Sequence, residues 1–329
     1  MERTFVLAYK KYLNTFNIND FFTKFIGSIE KRIQPIPSYE HFKDLLNSKS
    51  LRIVKVSNFN IENYLVEING NKESAEIGIN PRFLAILWCI CFNSIVEYDY
   101  QKAIVLRKNG DNSKFPIGDY EVSSARELLD FALSLINSPL NKWGTYKNST
   151  FDAFLPNPFI IETNLEYYIL KANTVFIEAF VFIVLHELAH YHYDYLDSIK
   201  AKPEDEICCD FFAAFEQSNE FKQCCDDINT HYFGMVTAFI AIELIDQLFN
   251  RIGDSETHPS NLTRIDKIID YSKLPEDSML FEYSAYGLSR SYQYEPKIQT
   301  DGFHYETAKE YYIDALNNAL AKQNIKSDY

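Results

Sequence analysis

The sequence is poor in glycine and proline, with 10 and 11 in 329 residues, and this scarcity argues against collagen-like or linker-rich proteins. Basic residues are also in the minority: 32 lysines and arginines stand against 46 acidic residues, which gives a formal net charge of −14. An acidic surface repels phosphate backbones, so we expect no nucleic-acid partner. Hydrophobic residues make up 47% of the chain, enough for a packed core in one large domain or two modest ones.

The sequence also lacks the cysteine spacing of a metal site and the features of an export signal. The six cysteines include the adjacent pair Cys208-Cys209, a poor spacing for a CxxC metal site or a disulfide framework. The start of the chain lacks the basic and apolar regions of a signal peptide. The apolar run at 179–185 is far shorter than the roughly 20 residues that span a bilayer. We therefore expect a cytoplasmic protein with reduced cysteines and no membrane partner.

The first 150 residues show a mixed pattern of helix and strand. The predicted elements are a helix at 5–25, strands at 51–56, 64–68 and 102–106, and helices at 83–98 and 123–135, the last capped by Ser123. The turn that begins at Asn69-Gly70 would pair the strand at 64–68 with residues 75–79 as a hairpin.

A loop rich in Asn, Pro and Ser at 137–158 leads into a mostly helical second half, with helices predicted at 165–196, 203–219, 235–252, 260–271 and 306–323. Ser260 is the predicted N-cap of the fourth helix, and the last helix is expected to act as a lid or buttress. We divide the chain into a mixed N-terminal region (residues 1–150) that forms part of the substrate cleft and a helical catalytic region (residues 151–329). The predicted fold class is α+β.

The helix predicted at 165–196 contains an HExxH motif, residues 186–190. Residues i and i+4 share one helix face, so the imidazoles of His186 and His190 can reach a single ion. Glu187 lies one step round the helix, where it can take a proton from the attacking water. The motif predicts a catalytic zinc site, and a purely structural histidine pair is the alternative.

Catalytic zinc needs a third protein ligand and an open position. Glu206 is the preferred ligand, because Asp210 lies one helical turn further on and can accept a hydrogen bond from a ligating imidazole. Glu204 is the main rival, although it has no acid four residues on and can instead complement the helix dipole. A sulfur ligand from Cys208 or Cys209 is the other alternative, but adjacent cysteines cannot both face one ion.

HELAH followed by ExxxD resembles the gluzincin zinc metallopeptidases. Asp194, four residues after His190, matches the HExxHxxxD pattern of thermolysin-like members. The THPS sequence at 257–260, followed by Arg264-Ile265, is similar to a segment of CAAX-protease-like and Oma-like gluzincins. The resemblance covers about residues 176–265, and several spanning helices of the membrane-embedded relatives have no counterpart here. In size and helix motif the chain also resembles the phage-exclusion peptidase family called Lit, whose members cleave a host translation factor.

The resemblance implies a zincin-like fold and a set of supporting residues. Asp194, Asp210 and Arg264 would hold the zinc ligands in place, with Arg264 paired to a buried acid. His258 is either an oxyanion-stabilising group or a turn residue before the next helix. The sequence therefore predicts a Zn²⁺-dependent metalloendopeptidase that hydrolyses peptide bonds in a protein or peptide substrate, with Glu187 as general base.

Three further expectations concern substrate and control. An extended substrate should add alongside an edge strand, for which we consider residues 75–79. His192 should point away from the metal, and His231 is an outside candidate for substrate contact. We expect a regulated or defence-type protease, gated by an activating or inhibitory partner. The alternatives are a catalytically silent zincin that acts as a binding or regulatory protein, and a non-peptidase zinc hydrolase.

Overall fold

The computed structural model describes residues 43–44, 51–55, 65–71, 73–108, 117–136, 166–195, 202–221, 228–293, 298–299, 302–303 and 305–327. Their elements, in chain order, are β1 (Leu51–Lys55), β2 (Val66–Asn71), β3 (Ser74–Ile79), α1 (Pro81–Lys108), α2 (Asp119–Ile136), α3 (Glu166–Tyr193), α4 (Pro203–Phe221), α5 (Ile228–Leu248), α6 (Asn261–Ser272), α7 (Met279–Ser291), β4 (Ile298–Gln299), β5 (Gly302–Phe303) and α8 (Ala308–Ser327). The helix predicted at 5–25 and the loop predicted at 137–158 lie outside the described residues.

Three strands form a small sheet in the order β1-β3-β2. The predicted hairpin is confirmed: β2 and β3 pair antiparallel, and the Asn71 side chain closes the turn by accepting from the backbone N–H of Glu73 at 2.9 Å and of Ser74 at 3.0 Å. β1 pairs with the other side of β3 in parallel. The expectation that residues 75–79 form an edge strand is therefore wrong, because β3 is central and β2 is an edge of this sheet.

Helices α1 and α2 correct two predictions. The strand expected at 102–106 is the last part of α1, since buried side chains continue at helical spacing through Phe92, Val96 and Ala103. Helix α2 begins at Asp119, so the predicted cap Ser123 lies inside the helix and is exposed. The predicted N-cap Ser260 is confirmed, because its side chain accepts a hydrogen bond from the backbone N–H of Thr263 at the start of α6.

Helix α3 is the centre of the molecule and packs against α1, α4, α5 and β2. Its side chains are buried almost all the way round, which is the pattern of a core helix. By length and composition it is the one helix, in the described part of the chain, that could also cross a membrane, and 72% of its most apolar stretch lies inside the protein. The helix ends where Asp194 adopts φ 66° and Tyr195 N–H returns to the carbonyl of His190 at 2.8 Å.

Helices α3, α4 and α5 meet at the buried carboxylate of Glu178. Its Oε2 lies 2.6 Å from Nδ1 of His231 and accepts from Nε2 of Gln217, also at 2.6 Å. A Cβ on Gly234 would lie 2.5 Å from the Glu178 Cβ, so glycine allows α5 to approach α3 here. His231 is thus a buried residue in the first turn of α5, and its expected substrate contact is wrong.

The remaining helices complete an α+β fold, as predicted. Helix α7 was not predicted from the sequence, and it packs against α8, α5 and α1. One hydrophobic cluster runs from Ala75 in β3 to Ala319 in α8, and it includes residues on both sides of position 150. The division of the chain at that position stays a prediction.

Candidate metal centre

Two imidazoles on α3 and a carboxylate on α4 converge on one point. His186 Nε2 lies 3.1 Å from His190 Nε2 and 3.2 Å from Glu206 Oε2, and His190 Nε2 lies 3.3 Å from Glu206 Oε1. The ligand atoms of the three residues all lie within 4.8 Å of one another, and no other such group occurs among the residues that the structure describes. This cluster could hold a metal ion.

The spacing of these atoms suits a tetrahedral ion. With ligand bonds of about 2.0–2.1 Å, two ligand atoms of a tetrahedral zinc ion lie roughly 3.3 Å apart. In this structure the two Nε2 atoms lie 3.1 Å apart, and each lies 3.2 to 3.3 Å from the nearer of the two Glu206 carboxylate oxygens. Three protein ligands would leave the fourth position open, as catalytic rather than structural zinc requires.

His186 is held in the orientation that a ligand needs. Its Nδ1 lies 2.9 Å from Oδ1 of Asp210, so a proton on Nδ1 leaves Nε2 free for an ion. Arg264 donates in turn to both oxygens of Asp210, from Nε at 2.8 Å and from Nη2 at 2.7 Å. The sequence-based expectation that Arg264 pairs with a buried acid is confirmed in this geometry.

Glu206 and its neighbour Asp210 both have lowered pKa values although they are buried. Burial raises the pKa of Glu206, but hydrogen bonds from His186 and His190 outweigh it and hold the pKa below its ordinary range. Burial likewise raises the pKa of Asp210, and the Arg264 guanidinium reverses the effect. For His186 burial lowers the pKa, yet the two carboxylates raise it to about 10. The negative charges of Glu206 and Asp210 are thus offset by the neighbouring imidazoles and by Arg264.

Glu187 lies beside the cluster and lines the same cavity. Burial raises the pKa of its carboxyl group, while the neighbouring imidazoles and a backbone N–H lower it. That N–H belongs to Ile68 in β2 and donates to Oε2 of Glu187 at 2.9 Å. A raised pKa makes a carboxylate a stronger base, which favours its acceptance of a proton from water.

His258 reaches the cluster from the loop before α6. Its Nε2 lies 3.3 Å from Oε1 of Glu206, and its Nδ1 lies 2.7 Å from the hydroxyl of Thr257. Ser255 supports the loop, because its side chain accepts from His258 N–H at 2.9 Å and its own N–H donates to the His258 carbonyl at 2.8 Å. The side chain is 58% exposed, so it stands between the cluster and solvent.

The rival ligands lie elsewhere. Glu204 is exposed at the start of α4, on the other side of the helix from buried Glu206. Cys208 is exposed and Cys209 is buried, and neither belongs to the group of possible metal ligands. The structure thus brings Glu206 to the two histidines.

Two polar residues at the end of the HExxH helix do not line the site cavity. Asp194 is exposed in the turn after α3 and does not line the site cavity, because the helix has already ended at Tyr193. Its predicted supporting role stays a prediction. His192 points away, as predicted, and stacks on Phe212 with ring centroids 5.3 Å apart.

The cluster opens into a cavity of about 240 Å³. Helices α3 and α5 form much of its wall. Leu65 and the first three residues of β2, 66–68, form another side. The Arg264 guanidinium lies over the ring of Phe239 in α5, and the distance from Arg264 Cζ to the ring centroid is 4.7 Å. The contribution of β2 was missed from the sequence, because it comes through a backbone group of Ile68 that no side-chain pattern reveals.

Comparison with known families adds the activity class. A family model described as Peptidase U49 matches residues 77–284, more than half of the chain. This chain belongs to the peptidase U49 family. The U49 match begins in β3 and ends in α7, so it includes every residue of the cluster. No curated protein and no solved structure matches the chain. Family membership supports peptidase activity and hence a protein substrate.

Proposed function

We propose that this U49 peptidase is a zinc-dependent metalloendopeptidase of the gluzincin type. The observation that carries the proposal is the cluster of His186, His190 and Glu206, in which the two imidazole Nε2 atoms lie 3.1 Å apart and within 3.3 Å of a Glu206 carboxylate oxygen, a spacing that suits a single tetrahedral ion. Two nitrogen donors and one carboxylate form a ligand set typical of zinc peptidases. A general base, Glu187, lies next to that set in the same cavity.

In the proposed reaction each residue has a separate task. Zinc, when bound, lowers the pKa of a water ligand to about 7 and polarises the substrate carbonyl. Glu187 accepts the proton of the attacking water and delivers it to the leaving amine. His258 stabilises the negative charge that develops on the carbonyl oxygen. Asp210, held by Arg264, keeps the His186 proton on Nδ1.

We propose that an extended substrate segment lies along β2. This strand is an edge of the described sheet, and residues 65–68 line the cavity that contains Glu187. Edge strands offer backbone N–H and C=O groups to an added strand. Cytoplasmic location, the absence of nucleic-acid and membrane partners, and control by an activating or inhibitory protein remain proposals based on the sequence.

A proteome digest tests the function. Zinc-loaded wild type and Glu187→Gln are each incubated with a denatured cell extract, and new peptide N termini are identified by mass spectrometry. The amide of the variant cannot accept the water proton, so it should bind zinc and fold normally but produce no new termini. Wild type should produce a reproducible set.

Two results would reject the proposal. New termini in both samples would remove Glu187 from the mechanism, and none in either would favour a catalytically silent zincin or a hydrolase that acts on other bonds. Zinc content measured on the same two samples shows whether the metal site is intact in each case.

A further inference from the structure

The edge strand β2 contacts the proposed general base directly. The backbone N–H of Ile68 donates to Oε2 of Glu187 at 2.9 Å, which joins residues 119 positions apart in the chain. It is the one hydrogen bond that the Glu187 carboxylate accepts within the described residues. One carboxylate oxygen is therefore fixed by β2, and the other is left for the reaction.

The strand register shows that the sheet itself does not use this N–H. Asn80 N–H donates to the carbonyl of Leu65 at 2.9 Å, which marks these two residues as a hydrogen-bonded pair. Hydrogen-bonded and non-bonded pairs alternate along antiparallel strands, and Ile68 lies opposite Ile77 in a non-bonded pair. Its N–H consequently points away from β3 and toward Glu187, and the N–H of Gly70, opposite Ala75, points away from β3 in the same way.

We infer that Ile68 is a positioning residue for the proposed hydrolysis, acting through its backbone N–H on Glu187. The inference rests on the proposed function. An ionised carboxylate on a helix can rotate about its side-chain bonds, and a donor from a separate element restricts that rotation. Because the N–H is already committed to Glu187, its removal should slow the chemical step without weakening substrate binding.

Replacing the amide with an ester tests this role without changing a side chain. The α-hydroxy analogue of isoleucine, incorporated at position 68, exchanges the N–H for an oxygen. The α-hydroxy analogue of glycine at position 70 is the matched control, since Gly70 lies outside the cavity and the exchange removes another outward N–H and weakens a ladder carbonyl in the same way.

We expect the ester at position 68 to lower kcat roughly 10- to 100-fold, the range found when a group that orients an active-site residue is lost. KM and zinc content should not change. The ester at position 70 should retain the wild-type kcat. Peptides cleaved in the proteome digest serve as substrates.

The failures of this inference and of the proposed function differ. If the wild type hydrolyses peptides and both esters are equally slow, the loss comes from the sheet and the role of Ile68 is refuted. An ester at position 68 with wild-type kcat also refutes it, and in neither case is the peptidase proposal affected. A wild-type protein that hydrolyses nothing removes the proposed function, and the role of Ile68 with it.

Discussion

Arg264 forms a two-pronged ion pair with Asp210, with Nε 2.8 Å from one carboxylate oxygen and Nη2 2.7 Å from the other. Both side chains are almost completely buried, and Nη2 also lies 3.6 Å from Oε2 of Glu206. One cation on α6 thus offsets two buried carboxylates on α4. The pair ties these helices together directly behind His186.

Removal of that cation should destabilise the protein severely. Arg264→Met leaves two buried carboxylates without their guanidinium, and breaking a buried pair in this way costs about 3–5 kcal/mol. Urea unfolding of the metal-free proteins gives the comparison. Lys309→Met is the matched control, because the pair between Lys309 and Glu276 is exposed and should be worth at most about 1 kcal/mol. Equal losses in the two variants would contradict this account of Arg264.

Zinc affinity should separate the acids of α4. Glu206→Ala removes a ligand and should abolish tight binding, whereas Asp210→Ala should weaken it by about 10- to 100-fold, because it frees the orientation of His186. Glu204→Ala is the control, since that side chain is exposed in the same helical turn. Titration against a chromophoric zinc chelator measures all three. A loss in Glu204→Ala as large as that in Glu206→Ala would refute the ligand assignment.

The cluster could be predicted from the sequence because its information is local. HExxH fixes two imidazoles by helical spacing alone, and Glu206 with Asp210 repeats the same i, i+4 relation on a second helix. Glu206 and Glu204 differ by about 200° of rotation, so helix geometry also allowed a choice between them. The cap at Ser260 and the β2–β3 hairpin rest on equally local signals.

The errors arose where distant parts of the chain decide the outcome. A hairpin signal shows that β2 and β3 are neighbours, but it does not show that β1 pairs on the far side of β3 and makes it central. The short apolar run at 102–106 looked like a strand because so few residues carry little periodicity, and the packing of α1 makes it helical. His231 looked like a loop residue because its partner, Glu178, is 53 positions away.

His258 should prove to be a catalytic rather than a structural residue. Its side chain is 58% exposed, so His258→Ala should leave thermal stability close to that of the wild type. Loss of one donor to a developing oxyanion lowers kcat by roughly 100- to 1,000-fold. Kinetics on a cleaved peptide, with a melting curve of the same sample, tests both parts. A variant with normal kcat and a lowered Tm would make His258 a turn residue only.

Stability should also depend on the ionisation of Asp246. Burial raises the pKa of this carboxyl group to about 6 in the folded protein, while Asn261 and Arg251 lower it in part. Its value in an unfolded chain is about 3.9. Between these values the folded state binds more protons, so the free energy of unfolding falls as pH rises from about 4 to about 6 and is level above that.

The size of this effect is bounded by the shift, at about 3 kcal/mol. Urea unfolding across pH 4 to pH 7, as an approximate window around the two pKa values, should show the fall in wild type and a smaller one in Asp246→Asn. Asp277→Asn, which changes an exposed carboxylate, should behave as the wild type does. Identical pH profiles for wild type and Asp246→Asn would disprove the assignment.

Anomalous diffraction at the zinc absorption edge, from crystals grown with zinc, tests the central claim most directly. The account predicts one peak per chain, within about 2.0–2.2 Å of Nε2 of His186, Nε2 of His190 and a carboxylate oxygen of Glu206. A peak bound by Glu204, a peak about 2.3 Å from the sulfur of Cys208, or no peak at the cluster would contradict it.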